Sequence, residues 1–425
     1  MNKERFTMSD VTNFSLADFH YNDNPDVLSP PEDFESWINN PTVQRAFSFT
    51  GQQLLRAPSA ETEILSNLDG KSRRMINMTS YNYLGLSTHP EVLQAAKEAV
   101  DKYGMSSSGA PLVSGTLDIH VKFAEQLAKL KGKEAAMIFS SGYGGNVGAL
   151  QGLMRKGDVI VFDEKAHKSL IDGGILSGAK MLFFDHNDMT SLEQMLEKAK
   201  GKRTLICIEG VYSMDGDICK LPEIVELSER YNAPIYLDEA HSSLMFGENG
   251  GGIGEYFGME DKIGINYGTL SKSFGGVGGF IATKANLITY LKGYASSWNF
   301  SCAPSPPVVA ALTKALEVAT RDSTLRDQLW SNTRYMKENL EAMGLDLGGT
   351  ESQVIPIIIG ASGERLFTFA EQMQLRGLFL QPIDYPAVPA HARRFRISVS
   401  SQFSRKDMDE ALNIINDVIA KGLKK

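Results

Sequence analysis

At 425 residues the chain is longer than one hydrophobic core usually serves, so two or more packed units are expected. Its 42% hydrophobic and 22% charged residues describe an ordinary folded protein, and a net charge of −8 with scattered Lys and Arg argues against a nucleic-acid partner. Three cysteines, Cys207, Cys219 and Cys302, make neither a disulfide framework nor a metal site, MNKERFTMSD lacks the apolar core of a signal peptide, and no apolar run approaches the ~20 residues of a membrane span, so a cytoplasmic setting is expected.

Residues 1–74 mix aromatic, acidic and proline residues without long periodicity and read as an N-terminal arm that wraps something, a subunit partner being one candidate. A large domain is expected over 75–307. It opens with the strand-like MINMTSYNYL and the helical EVLQAAKEAVDKY, then alternates short apolar runs (AAMIF, DVIVFD, KMLFFD, TLICIEG, PIYLDEAH, KIGINYGTL) with amphipathic or loop sequence. That alternation predicts a largely parallel sheet covered by helices, an α/β fold. A smaller α+β domain is expected over 308–425, with helices at VVAALTKALEVAT, DQLWSNTRYMKENLEAM and KDMDEALNIINDVIAKGL and strands at VIPIII and FRISVS.

In open α/β sheets ligands sit at the carboxyl ends of the strands. Here those ends read SSGYGGN, EKAHKS, VYSMDGD, EAHSS and SKSFGGVGG, so serine, glycine, histidine, aspartate and lysine converge on one edge. Gly142, Gly144 and Gly148 suggest a dinucleotide loop, but their spacing is GxGxxxG rather than GxGxxG and gives Lys272 no task. Pyridoxal 5'-phosphate accounts for more. It requires a lysine for its aldehyde, an anion for its ring nitrogen, a phosphate cup and a ring clamp. Lys272 in GTLSKSFGGVGG supplies the first and Asp238, ending PIYLD, the second. Thr269, Ser271 and the helix-opening backbone of Gly142 and Tyr143 suit the phosphate. His167 suits the ring face, and His241 the phenolic oxygen.

These motifs, taken in order with SYNYLGLSTHPEV, VSGTLDIH, GGTESQVIP and FRISVS, resemble the α-oxoamine synthases, fold-type-I pyridoxal-phosphate enzymes, from about Ser80 to Ser401. The resemblance implies Lys272, His167 and Asp238 as catalytic residues, with Gly142, Tyr143, Ser213, His241 and Thr269 as further cofactor contacts. It implies Arg396 as the grip on the substrate carboxylate and Asn82 as a residue lining the substrate site. Ser301, beside Cys302, lies where the family reaches the neighbouring subunit's phosphate, so the resemblance implies a homodimer with a shared site. One departure is Pro111, which stands where many members carry an arginine.

The activity implied is decarboxylative condensation of an amino acid with an acyl thioester, giving an α-amino ketone, with coenzyme A or an acyl carrier protein as the thioester carrier. Another pyridoxal enzyme such as an aminotransferase, or a binding module without catalysis on the same fold, are the competing readings. No metal is expected. Neighbouring Arg393 and Arg394 read as surface charges, and His120 as a structural helix residue.

Overall fold

The computed structural model describes residues 15–22, 24–360 and 362–424. At its centre seven strands form one sheet in the order Ala135–Phe139, Gly279–Thr283, Ile265–Thr269, Ile235–Asp238, Thr204–Glu209, Val159–Asp163 and Lys180–Phe184. Neighbours pair in parallel except Gly279–Thr283, which runs antiparallel to both of its partners. The six apolar runs read from the sequence are six of these strands. The inner strands are continuous apolar stretches because helices cover both faces of the sheet there, whereas the edge strand Lys180–Phe184 leaves Phe183 exposed.

The chain order of these strands reverses beside Thr204–Glu209, and Glu209 pairs in register with Asp238 on the adjoining strand. Side chains that close these strands therefore meet at one edge. The helix Gly142–Leu153 leaves the first strand through a cap in which the Gly144 N–H donates to Ser141 Oγ at 3.0 Å. Its opening glycine is required by packing: a Cβ at Gly142 would lie 2.7 Å from Thr269 Oγ1 and 2.9 Å from Tyr267 Oη.

The helices Pro306–Arg321 and Pro90–Tyr103 pack side by side, each with its apolar residues at helical spacing and proline in its first turn, where no backbone N–H is missed. Beyond them a three-stranded antiparallel sheet places Arg394–Ser398 between Val354–Ile358 and Pro382–Ile383. The strand Ser72–Asn77 crosses the expected boundary at 74–75, pairing with Glu61–Leu65 on one side and with Leu378–Phe379 on the other. The preceding segment lies against the C-terminal part of its own chain: Arg45 donates to Glu371 at 2.6 Å, and Phe49 stacks on Phe367 with ring centroids 5.8 Å apart.

Among the described residues no helix is long and apolar enough to cross a membrane, and no cluster of His, Cys, Asp and Glu could hold a metal ion.

Candidate active site

Lys272 follows the strand Ile265–Thr269, and its Nζ lies 2.6 Å from His241 Nε2. The opposite ring nitrogen, His241 Nδ1, is 2.8 Å from the hydroxyl of fully buried Tyr83. Burial holds the His241 imidazole well below its usual pKa, so it is neutral, and burial pushes the Tyr83 phenol up. Burial also pulls the Lys272 ammonium down to about 8 against the opposing attraction of Asp238 and Glu209. An amine so placed gives up its proton near neutrality, as a nucleophilic or basic lysine must.

Asp238 closes the central strand Ile235–Asp238 and is 4% exposed. Asn146, one helical turn beyond Gly142, donates from Nδ2 to Asp238 Oδ2 at 2.8 Å and to Ser169 Oγ at 2.9 Å. The hydroxyl of Tyr236 donates to Asn146 Oδ1 at 2.7 Å, and the Ala240 N–H donates to Asp238 Oδ1 at 2.9 Å. Burial pushes the Asp238 carboxyl above its usual range, and the hydrogen bond from Asn146 opposes that rise. Glu209 is buried beside it and is raised further by burial and by the Asp238 charge; its Oε1 accepts the His167 N–H at 2.6 Å.

His167 caps the helix Lys168–Ser177. Its Nδ1 lies 2.7 Å from Ser169 Oγ and accepts the Ser169 N–H at 3.3 Å, which leaves the proton of the neutral ring on Nε2. Burial lowers its pKa. A chain of hydrogen bonds thus runs from buried Tyr236 through Asn146 to Asp238 and to Ser169, and from Ser169 to His167 at the exposed mouth.

Arg396 reaches the same space from the three-stranded sheet. It donates from Nη1 to the Ser213 carbonyl at 3.0 Å and from Nη2 to the Tyr81 hydroxyl. Both cationic groups lie over the Tyr81 ring, whose centroid is 5.1 Å from the Arg396 guanidinium carbon and 5.7 Å from Lys272 Nζ. Thr269 Oγ1 and Ser271 Oγ are 2.9 Å apart beside the start of the Gly142 helix, and the Tyr143 hydroxyl turns outward to Asp172 at 2.5 Å.

Asn82 is buried, accepts the Ser87 N–H at 3.2 Å, and leaves its Nδ2 without a hydrogen-bond partner among the described residues. Ser301 lies on the loop after the short helix Ser296–Asn299; among the described residues no hydrogen bond joins it to Lys272, Asp238 or Thr269, and the carbonyl of the next residue, Cys302, accepts the Ser140 hydroxyl at 2.6 Å. Pro111 opens a single turn, Pro111–Gly115, on the surface.

Two surface charges of the sequence reading need correction. Arg394 is 4% exposed and donates to Asp215 Oδ1 at 2.7 Å, because its strand is the central one of its sheet; Arg393 is partly buried and pairs with Asp384. His120 is structural as expected, its Nε2 lying 2.8 Å from the Pro304 carbonyl.

Asn146, Glu209, Tyr81 and Tyr83 were not singled out from the sequence. The one signal for Asn146 was an amide in an otherwise small and apolar helix, GYGGNVGAL, where an unpaired side chain would be costly.

These residues fit pyridoxal phosphate on a structural ground. Asp238 is a buried carboxylate whose hydrogen-bond partners are neutral, and among the described residues no cation lies in ion-pair contact with it. A protonated pyridine nitrogen would supply the missing cation, Lys272 the amine for the aldehyde, and the N-terminus of Gly142–Leu153 with Thr269 and Ser271 a setting for the phosphate.

Comparison with known proteins points the same way. Residues 73–415 match the model of the family described as aminotransferase class I and II. An 8-amino-7-oxononanoate synthase from Thermoanaerobacter pseudethanolicus is 40% identical over 378 residues, spanning 88% of this chain and 94% of that protein. A serine palmitoyltransferase from Sphingobacterium spiritivorum is 39% identical over 353 residues, 83% of this chain and 87% of that one. Among solved structures, the serine palmitoyltransferase of Sphingomonas wittichii superposes with a TM-score of 0.84 at 30% identity, covering 88% of this chain and 93% of that one. A structure described as serine palmitoyltransferase with its pyridoxal phosphate internal aldimine gives 0.86 at 29% identity, covering 92% and 99%.

Proposed function

From the premise that this chain belongs to the α-oxoamine synthases, pyridoxal-phosphate-dependent acyltransferases within the aminotransferase class I and II family, we propose that it condenses a small α-amino acid with an acyl thioester, in the manner of serine palmitoyltransferase. The observation that carries this reading is the placement of Lys272 and Arg396 against the same Tyr81 ring, 5.7 and 5.1 Å from its centroid. An amine-reactive position and a carboxylate grip that share one aromatic neighbour suit a substrate whose amino and carboxylate groups share one carbon.

Pyridoxal phosphate, when bound, supplies an electron sink that makes loss of the Cα proton, and later of carbon dioxide, feasible. Every other task falls to the protein. Arg396, held by Ser213 and Tyr81, orients the substrate carboxylate and so determines which bond at Cα is presented for cleavage. Lys272, with its pKa near 8, takes the Cα proton and later returns one. Asp238, kept ionised by the hydrogen bond from Asn146, maintains the ring nitrogen protonated. His167 would cover the cofactor ring face and His241 would meet its phenolic oxygen. Gly142 and Tyr143 offer backbone N–H groups to the phosphate, flanked by Thr269 and Ser271. Asn82 lines the substrate space, and Ser301 serves the phosphate across a homodimer.

The experiment combines the cofactor-loaded protein with single amino acids and acyl-coenzyme A, or an acylated carrier protein, and follows free thiol. Thiol release that requires both partners supports condensation. Turnover that instead requires a 2-oxo acid and releases no thiol would replace this reading with transamination.

A further inference from the structure

We propose that His186 is a positioning residue for the amino-acid substrate: bridging Asp163 and Asp217 with both ring nitrogens protonated, it fixes the loop of residues 211–218 whose Ser213 carbonyl holds Arg396. The inference rests on the reading of Arg396 as the carboxylate grip.

The loop leaves the strand Thr204–Glu209 and closes on itself. Val211 pairs with Ile218, the Tyr212 N–H donates to the Asp217 carbonyl at 3.0 Å, and the Gly216 N–H donates to the Tyr212 carbonyl at 2.8 Å. Two arginines of the strand Arg394–Ser398 grip one side of it. Arg394 donates to the Met214 carbonyl at 2.9 Å and to Asp215, and Arg396 donates to the Ser213 carbonyl. The position of the Arg396 guanidinium is therefore set by where this loop stands.

The other side of the loop is anchored by His186, just past the strand Lys180–Phe184. Its Nδ1 lies 3.0 and 3.1 Å from the two oxygens of fully buried Asp163, and its Nε2 lies 2.7 Å from Asp217 Oδ2. A carboxylate offers lone pairs only, so both ring nitrogens must carry protons for all these contacts to be hydrogen bonds. In keeping with this, against the desolvation of burial, the bonds to Asp163 and Asp217 raise its pKa to about 9.

Asn187, in the left-handed region at φ +53°, completes the clasp. Its N–H donates to Asp163 Oδ2 at 3.1 Å, and its Nδ2 donates to Asp217 Oδ2 at 2.9 Å and to the Ile218 carbonyl at 3.1 Å. The Tyr212 ring meets the imidazole edge-on with centroids 4.4 Å apart, and Glu164 accepts the His186 N–H at 3.2 Å. Among the described residues Asp163, Asp217 and Glu164 are the charged groups hydrogen-bonded to His186, and it has no hydrogen bond to Lys272, Asp238 or Arg396. Its influence on the substrate passes through the loop.

The test is steady-state kinetics of cofactor-loaded His186→Gln, whose amide cannot donate to both carboxylates. Removing one charge-assisted anchor should raise the amino-acid KM by roughly tenfold, with kcat and the thioester KM changed less than about threefold. Asp217→Asn keeps the shape of the clasp and should move the same KM in the same direction by less; it serves if His186→Gln does not fold. A lower unfolding temperature with an unchanged amino-acid KM in these variants would reduce His186 to a structural role and overturn the proposal. Arg396→Lys separates the two layers. If it raises the amino-acid KM while His186→Gln does not, the His186 proposal alone fails; if Arg396→Lys leaves that KM unchanged, the carboxylate reading fails and takes the proposal with it.

Discussion

Replacing Asn146 with Leu keeps the branched shape of the side chain and removes its polarity, which isolates the part Asn146 plays for Asp238. In the structure Asn146 is 1% exposed, donates to Asp238 and Ser169, and accepts from the fully buried Tyr236 hydroxyl. The substitution strands the Tyr236 hydroxyl and one Asp238 oxygen, each at a cost of roughly 1–3 kcal/mol, so a loss of about 4 kcal/mol of stability is expected. It also deletes the largest influence opposing the upward push of burial on the Asp238 carboxyl, which then favours its protonated form. In the proposed site a neutral Asp238 would no longer hold a protonated ring nitrogen. A hydrogen bond to a charged group contributes roughly 1.5–3 kcal/mol, so cofactor affinity should fall about 10- to 150-fold. Absorbance titration with pyridoxal phosphate measures the second effect, and thermal unfolding of the unloaded protein the first. A variant that binds the cofactor within twofold of the parent and unfolds at the same temperature would refute the reasoning.

The raised pKa of His186 has a definite sign for stability. Its folded value near 9 exceeds the ordinary 6.5, so its contribution is complete below about pH 6.5 and is lost as pH rises through 9. At about 1.36 kcal/mol per pKa unit the contribution is about 3 kcal/mol; urea unfolding at pH 6 and at pH 9.5 should show that loss in the parent and not in His186→Gln. Lys131 and Glu239 form an ion pair with both side chains fully buried, joined by Lys131 donating to Ser243 at 2.8 Å. Lys131→Met strands the Glu239 carboxylate and should destabilise the protein by about 3–5 kcal/mol, read by thermal unfolding.

The sheet was legible because fully covered strands are uninterrupted apolar runs, and the chemistry was legible because ligands gather where such runs end. Gly279–Thr283 escaped for the same reason in reverse. It begins with glycine directly after the glycine-rich loop and returns antiparallel, outside the alternation of strand and helix that marked the others. Arg394 was misread because the pattern of RRFRIS specifies alternation and not which face has a partner; Asp215, its partner, is 179 residues away. Asn146 and Tyr83 were invisible for a related reason, since each is defined by a contact across the fold, 92 and 158 residues distant in the chain. Lys272, Asp238 and His241 needed no such knowledge, because their chemical types and their positions beside strand ends already point to one cofactor.

The central claim is that the amine of Lys272 carries the cofactor. Borohydride reduction of the loaded protein, followed by digestion and mass spectrometry, tests it directly by fixing the cofactor to whichever lysine holds it. The phosphopyridoxyl group should appear on the peptide containing SKSFGG at Lys272 and be absent from Lys272→Ala treated in parallel. Stoichiometric label on another lysine, or label that persists unchanged in that variant, would contradict the account.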